Sequence, residues 1–159
     1  MHDAPSALTI GLISDTHELL RPQARRALAG VTHILHAGDI CEGNVLAELA
    51  EVAPVTAVRG NNDRGAWARG LHTTAMVEIG GVSLYVVHDL SELDIDPRTA
   101  GVQAVIYGHS HKPLIEERAG VLYVNPGSAG PRRFTLPISV GFLEIAAGTV
   151  TARLKTLQI

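Results

Sequence analysis

Residues 8–17 read Leu-Thr-Ile-Gly-Leu-Ile-Ser-Asp-Thr-His. The first six are apolar or strand-favouring and predict a buried β-strand. The last four, Ser14-Asp15-Thr16-His17, are polar and predict a turn at that strand's carboxyl end. The same pattern recurs downstream. Residues 21–29 predict a helix, with Pro22 tolerated in its first turn and Gly30 as its stop. Residues 32–36 predict a second strand closed by Ala37-Gly38-Asp39. Residues 44–51 predict a second helix, and 54–58 a third strand closed by Gly60-Asn61-Asn62-Asp63. Strand, helix, strand, helix, strand implies parallel pairing through right-handed crossovers.

Beyond residue 70 the pattern changes. Residues 73–79 and 82–87 flank Gly80-Gly81, 114–117 and 121–124 flank Ala119-Gly120, and 138–145 and 149–157 flank Ala147-Gly148. Each set reads as a β-hairpin. Residues 94–100 predict a short helix. Residues 103–107 predict a buried strand ending in Gly108-His109-Ser110-His111. These are too many strands for one sheet covered by helices. The expected class is α+β, a four-layer α/β/β/α sandwich of two packed mixed sheets flanked by helices.

The strand-end turns carry the chemistry. Taken singly, each has an ordinary reading. Asp15 and His17 suit a helix-capping turn, Gly38-Asp39 a common turn, and Asn61 a left-handed turn residue. A lone His88 after the 82–87 strand suits a structural histidine. His109 and His111, two apart on an extended segment, face one side and can address one site. Ligands of open α/β sheets bind outside the carboxyl ends of the strands. Turns of this kind, all at such ends, converge on one place with the side chains a metal centre needs.

The order Asp15-x-His17, Gly38-Asp39, Gly60-Asn61-Asn62-Asp63, His88 and Gly108-His109-Ser110-His111 resembles the calcineurin-like metallophosphoesterases. Their motifs run D-x-H, G-D, G-N-H-[DE], a lone His and G-H-x-H. The small size and the late Asn125-Pro126-Gly127-Ser128, followed by Pro131-Arg132, resemble the short bacterial and archaeal phosphodiesterase branch. The resemblance implies the metallo-dependent phosphatase fold and two divalent ions. Asp15, His17, Asp39 and His111 would hold one ion. Asp39, Asn61, His88 and His109 would hold the other, with Asp39 bridging. Imidazole, carboxylate and amide ligands suit manganese first, and equally admit iron, nickel or zinc. Asp39, Asn61, Asn62 and His109 are the expected catalytic residues. The expected reaction is hydrolysis of a small phosphate ester, above all a diester, by in-line attack of a metal-bridging hydroxide. The alternative is a protein-binding scaffold like the retromer subunit that resembles this fold, with vestigial catalysis. The completeness of the ligand set weighs against it.

The chain departs from the family pattern at Asn62, where the motif has His. An amide donates a hydrogen bond but passes no proton at neutral pH. Asp63 either orients Asn62 or finishes the turn. Asp89-Leu90 replaces the Gly-His that often follows the lone His. His36 reads as a partner behind the ligands or as a packed strand histidine. His33 and His72 read as structural or surface groups. Arg132 and Arg133 suit a phosphate clamp or a solvated surface. Trp67 suits a pocket wall or a partner contact, and Cys41 a small buried residue.

Bulk properties bound the rest. With 159 residues, 46% apolar and 18% charged, the chain is globular and reads as one domain, 1–159. A net charge of −3 and no basic stripe with interleaved aromatics argue against long nucleic-acid substrates. One cysteine suits a reducing compartment. Residues 1–7 lack the basic-then-apolar pattern of a leader, and the apolar runs fall short of the ~20 residues of a membrane span. The expected location is cytoplasmic. The expected partner is a small phosphate ester and not a membrane, with homo-oligomerisation open.

Overall fold

The computed structural model describes residues 7–159. The leader-free reading of the N-terminus therefore falls almost wholly outside the described residues. The chain forms two five-stranded mixed sheets. The first contains β1 (Leu8–Ile13), β2 (His33–His36), β3 (Val55–Ala57), β9 (Ser139–Ala146) and β10 (Thr149–Thr156), in the order β10-β9-β1-β2-β3. The second contains β4 (Thr74–Ile79), β5 (Val82–Val87), β6 (Val102–Ile106), β7 (Leu114–Arg118) and β8 (Val121–Asn125), in the order β4-β5-β6-β8-β7.

Parallel pairing joins β1, β2 and β3 in one sheet and β5, β6 and β8 in the other. The C-terminal hairpin adds to the first sheet when β9 pairs antiparallel with β1, Leu8 opposite Ile145. Three tight turns join β4 to β5, β7 to β8 and β9 to β10. Each has two residues of positive φ: Gly80 and Gly81, Ala119 and Gly120, Ala147 and Gly148. That backbone is the type I′ turn whose twist matches the flanking strands.

Side chains alternate as the strand period requires. Ile10 and Leu12 of β1 point between the sheets, against Leu84, Val86, Ala104 and Ile106. Ile13 belongs to the other face, packed with Leu28, Ile34 and Leu49 under the helices α1 (Pro22–Ala27) and α2 (Gly43–Ala50). The outer face of the second sheet buries Tyr85, Val105, Tyr107 and Tyr123 under Leu90, Leu93 and Ile95. The sandwich of two mixed sheets is the expected fold class.

The cover over that outer face is thinner than the sequence suggests. No α-helix forms at 94–100. A 3-10 turn at Leu90–Glu92 takes its place, started by Asp89, whose side chain accepts from the Ser91 amide. The chain then runs in turns, because Pro97 lacks an amide hydrogen and the Asp96 side chain is engaged by the Thr99 hydroxyl. Helix α1 is also shorter than 21–29, ending at a Leu28 cap before Gly30 at φ 86°. Among the described residues no helix is long and apolar enough to cross a membrane.

Candidate metal centre

The carboxyl ends of β1, β2, β3, β5, β6 and β8 meet at one rim of the sandwich. Backbone bonds tie them together. The amides of Asp15 and His17 donate to the carbonyls of Gly38 and Asp39, and that of Gly108 donates to His88. Other bonds cross between the sheets at this rim. The His109 amide donates to Asp15 Oδ2 at 3.1 Å, and His88 Nδ1 donates to the Ala37 carbonyl at 2.8 Å.

These turns are strained. Asp15, His17, Asp39, Cys41, His109 and His111 all have φ between 45° and 72°. Left-handed backbone costs a non-glycine residue about 1–2 kcal/mol, and such strain gathers where surroundings over-determine it. The determinants are visible. Gly60 and Gly108 let the turns interlock: a Cβ on Gly60 would strike Asp39, and one on Gly108 would strike the Ser14 hydroxyl. The buried Asp63 carboxylate accepts from the amides of Gly60 at 2.8 Å, Asp39 at 3.0 Å and Cys41 at 2.7 Å. Asp63 therefore builds the Asp39 turn and does not orient Asn62. His36, fully buried, accepts from the Gly38 amide through Nδ1 and so carries its proton on Nε2, 3.1 Å from the Thr16 hydroxyl. Burial pushes its pKa down to about 3. It is a neutral brace beneath two ligand turns, and no proton donor at neutral pH. Asn125 braces the third turn, donating to the Gly108 carbonyl and the Ser110 hydroxyl. Ser128 donates to the Asp15 carbonyl.

Two groups of side chains converge at this rim: Asp15, His17 and His111, and Asp15, Asp39 and His88. Asp15 Oδ2 is occupied by the Ser14 hydroxyl and the His109 amide. Oδ1 has no hydrogen-bond partner and stands 3.4 Å from His111 Nε2 and 3.9 Å from His17 Nε2. Asp39 Oδ2 lies between the two sides, 3.7 Å from His17 Nε2 and 3.3 Å from His88 Nε2. It also accepts from the Asn62 side-chain amide at 3.0 Å, while Oδ1 takes the Asn62 backbone amide. Asn62 thus holds Asp39. The Asn61 carbonyl oxygen is 3.0 Å from His88 Nε2. His109 stands apart from both groups: its ring meets His88 edge-on, half-exposed, with Nε2 3.8 Å from Asp89 Oδ2.

The donor set fits divalent cations. His88 donates through Nδ1 to Ala37, which aims Nε2 at the oxygens of Asn61 and Asp39. Burial opposes charge on His88, but Asp39 and Asp15 outweigh it and raise its pKa, so this point of the rim draws positive charge, which a proton or a metal cation would supply. His17 Nε2 and His111 Nδ1 are buried without hydrogen-bond partners, as is Asp15 Oδ1. Burial resists charge on Asp39, but bonds from His88 and Asn62 hold its carboxyl well below the usual range. Burial likewise opposes Asp15, and the facing His111 ring and the Ser14 hydroxyl outweigh it. Both carboxylates are therefore charged at neutral pH. Burial keeps His17 below its ordinary value, so a neutral ring can offer Nε2 to a cation.

The remaining sequence candidates stand outside the two groups. Arg132 and Arg133 are exposed, and Arg133 joins burial in lowering the His17 pKa. Trp67 packs against the helix-side core and the α2 start at Gly43, and so does not line the site. The Cys41 thiol sits 3.5 Å from His17 Nδ1, and burial pushes its pKa up to about 12. His33 bonds the Thr56 hydroxyl, away from the rim. Asn125 shapes a turn beside the site and Asp63 finishes its own turn, as the sequence allowed, but their backbone partners are brought close only by folding, and the bond of Ser14 to Asp15 had no sequence signal.

The profile of the calcineurin-like phosphoesterase superfamily domain matches residues 8–148. A probable metallophosphoesterase of Methanothermobacter thermautotrophicus is 36% identical, covering 87% of this chain and 86% of its own. A phosphodiesterase of Methanocaldococcus jannaschii is 30% identical, covering 86% of this chain and 93% of its own. The solved structure of vacuolar protein sorting 29 from Cryptosporidium parvum superposes with a TM-score of 0.77 over 94% of this chain and 97% of its own. At 19% identity that likeness shows the fold alone.

Proposed function

The chain belongs to the calcineurin-like phosphoesterase superfamily, and from that membership we propose that it hydrolyses small phosphodiesters at a binuclear metal centre. It is a metal-dependent phosphoesterase by relationship. The finer reading rests on one observation above the others. The partnerless Asp15 Oδ1, the flanking Asp39 Oδ2 and the His17, His88 and His111 nitrogens form two adjoining groups.

In this reading Asp15, His17, Asp39 and His111 hold one ion, Asp39, Asn61, His88 and His109 hold the other, and Asp39 is shared. Manganese is the expected ion, with iron, nickel and zinc of the same ligand class. Bound divalent ions supply Lewis-acid polarisation of the phosphate and a water acidic enough to act near neutral pH. The chain's own residues orient and hold. Ala37 fixes the His88 tautomer so that Nε2 faces the site. Ser14 and the His109 amide fix Asp15 so that Oδ1 does. The two Asn62 donors fix both oxygens of Asp39. Asn62 cannot protonate a leaving group, and His36 is buried, neutral and already bonded. Departure of the alcohol therefore depends on its own acidity.

A scaffold role has only the fold likeness to vacuolar protein sorting 29 in its favour, and the retention of every expected ligand weighs against it. The single cysteine, which suits a reducing compartment, supports a cytoplasmic placing. The core shared by both sheets supports one domain over 1–159. The test strips the protein with chelator, reloads it with manganese, iron, nickel or zinc, and measures bound ions and turnover of phosphomonoesters, phosphodiesters and nucleotides. Two ions per chain with diesters preferred is the expected result. A single ion per chain, or full loading without diester hydrolysis, overturns the reading.

A further inference from the structure

A cavity of about 280 Å³ opens beside the candidate metal centre, between the loops that follow β3 and β5. Asn61 and His88 form the end that adjoins the centre. Arg59 and Arg64 line it from the β3 loop, and Asp89 and Glu92 from the β5 loop. The charges are not evenly free. Asp89 Oδ1 is taken by the Ser91 amide and hydroxyl, and its Oδ2 faces His109. Arg59 Nε donates to the Asp63 carbonyl, which pins that side chain and leaves its terminal nitrogens uncommitted. The arginines in ion pairs among the described residues are Arg25, Arg118 and Arg153, so neither cavity arginine is neutralised. The wall away from the metals thus carries two guanidinium groups outside any ion pair, together with the Asp89 carboxylate, held by Ser91, and the Glu92 carboxylate.

Size limits what can enter. Small-ligand sites run from about 300 Å³ upward. This cavity therefore holds one ester substituent of sugar-phosphate size, and no polymer. Guanidinium groups recognise phosphate or carboxylate through paired hydrogen bonds, and Glu92 can accept from a hydroxyl.

Resting on the phosphodiesterase reading, we propose that this cavity is the subsite for one alcohol group of the diester. Arg64, with Arg59, selects an alcohol that bears hydroxyls and its own anionic group. The scissile phosphate lies at the Asn61–His88 end, and the second anion sits against the arginine wall. Arg64 is the specificity-determining residue, because its side chain has no structural bond to lose.

The test compares the p-nitrophenyl ester of thymidine 5′-phosphate with the same ester carrying a 3′-phosphate. The two differ only in the second anion. The expected result is kcat/KM at least ~10-fold higher for the 3′-phosphorylated ester, as suits a charge-assisted contact. That advantage resides in KM and disappears in Arg64→Ala. Independently of turnover, thymidine 3′,5′-bisphosphate should bind the metal-free protein ~10-fold more tightly than it binds metal-free Arg64→Ala, by calorimetry. Equal kcat/KM for the two esters in the native protein, or equal binding to both proteins, overturns the proposal. Failure of the diesterase reading is distinguishable: bis-p-nitrophenyl phosphate would then resist hydrolysis, while the calorimetric comparison would still decide the role of Arg64.

Discussion

Replacing Asp63 by asparagine removes a charge and one acceptor while keeping the shape. In the native fold the carboxylate takes three backbone amides: Asp39 and Gly60 on Oδ2, Cys41 on Oδ1. The substituted side chain has a single carbonyl, and its best placing keeps the pair on Oδ2. Its amino group then opposes the Cys41 amide. An unsatisfied buried donor costs about 1–3 kcal/mol. The two retained bonds fall from charge-assisted to neutral strength, losing about 1 kcal/mol each. The site is 1% exposed, so water offers little relief. The total is about 3–5 kcal/mol, a large share of the 5–15 kcal/mol that holds a typical domain together. Urea unfolding in the presence of chelator measures it. With a slope near 2 kcal/mol per molar, the midpoint should fall by about 1.5–2.5 M. Metal affinity should fall too, because the clamp that holds Asp39 at φ 57° is weakened. A midpoint shift below about 0.3 M with unchanged metal affinity would refute the assignment of Asp63 as the builder of this turn.

Asp39→Asn should lower bound metal below two ions per chain and cut kcat/KM by at least ~100-fold; retention of both ions and most of the rate would show that Asp39 is not shared. Aryl diesters should turn over far faster than alkyl diesters, with a steep dependence on leaving-group pKa, and Asn62→His should help alkyl esters by at most ~100-fold. The gain is limited because the ring would forfeit the Asn62 bond to Asp39 Oδ2; a flat dependence in the native protein would reveal another acid. His36 has a folded pKa of about 3 against an ordinary 6.5. The unfolded chain therefore takes up the proton first, and stability should fall as pH drops from about 6.5 towards 3, by up to ~1.4 kcal/mol per unit. A His36→Gln variant followed by urea unfolding from pH 7 to 4 should show a shallower slope, and an identical slope would remove His36 as the cause.

Much of this was legible in the sequence because strand-end turns carry local signals. The D-x-H, G-D and G-H-x-H segments each follow an apolar strand, and the type I′ hairpins announce themselves by Gly-Gly and Ala-Gly between strand-formers. What the sequence hides is reciprocal bonding across distance. Asp63 acts on an amide 24 residues away, and Asn125 on a carbonyl 17 residues away. Nothing local distinguishes such a carboxylate from an ordinary turn Asp. The helix expected at 94–100 failed for the opposite reason. Its local signals were weak, and burial of Leu90, Leu93 and Ile95 on the Tyr85 face is met by an irregular chain as well as by a helix. His109 shows a third limit: spacing placed its backbone at Asp15, but the direction of its ring was set by Asp89 and His88.

The pairing of β1 with β9 bears on how the protein is made. Thr9 and Glu144, bonded across that pair, are 135 residues apart. At a synthesis rate of about 5–20 residues per second, β1 waits roughly 7–27 s for this neighbour. During that interval β2 can close one flank of β1, but the other presents an unpaired apolar edge to its surroundings. The nascent chain is therefore a client for whatever shields such edges, and a ribosome stalled before residue 139 leaves a product that can neither complete its first sheet nor seat Ser128 on the Asp15 turn.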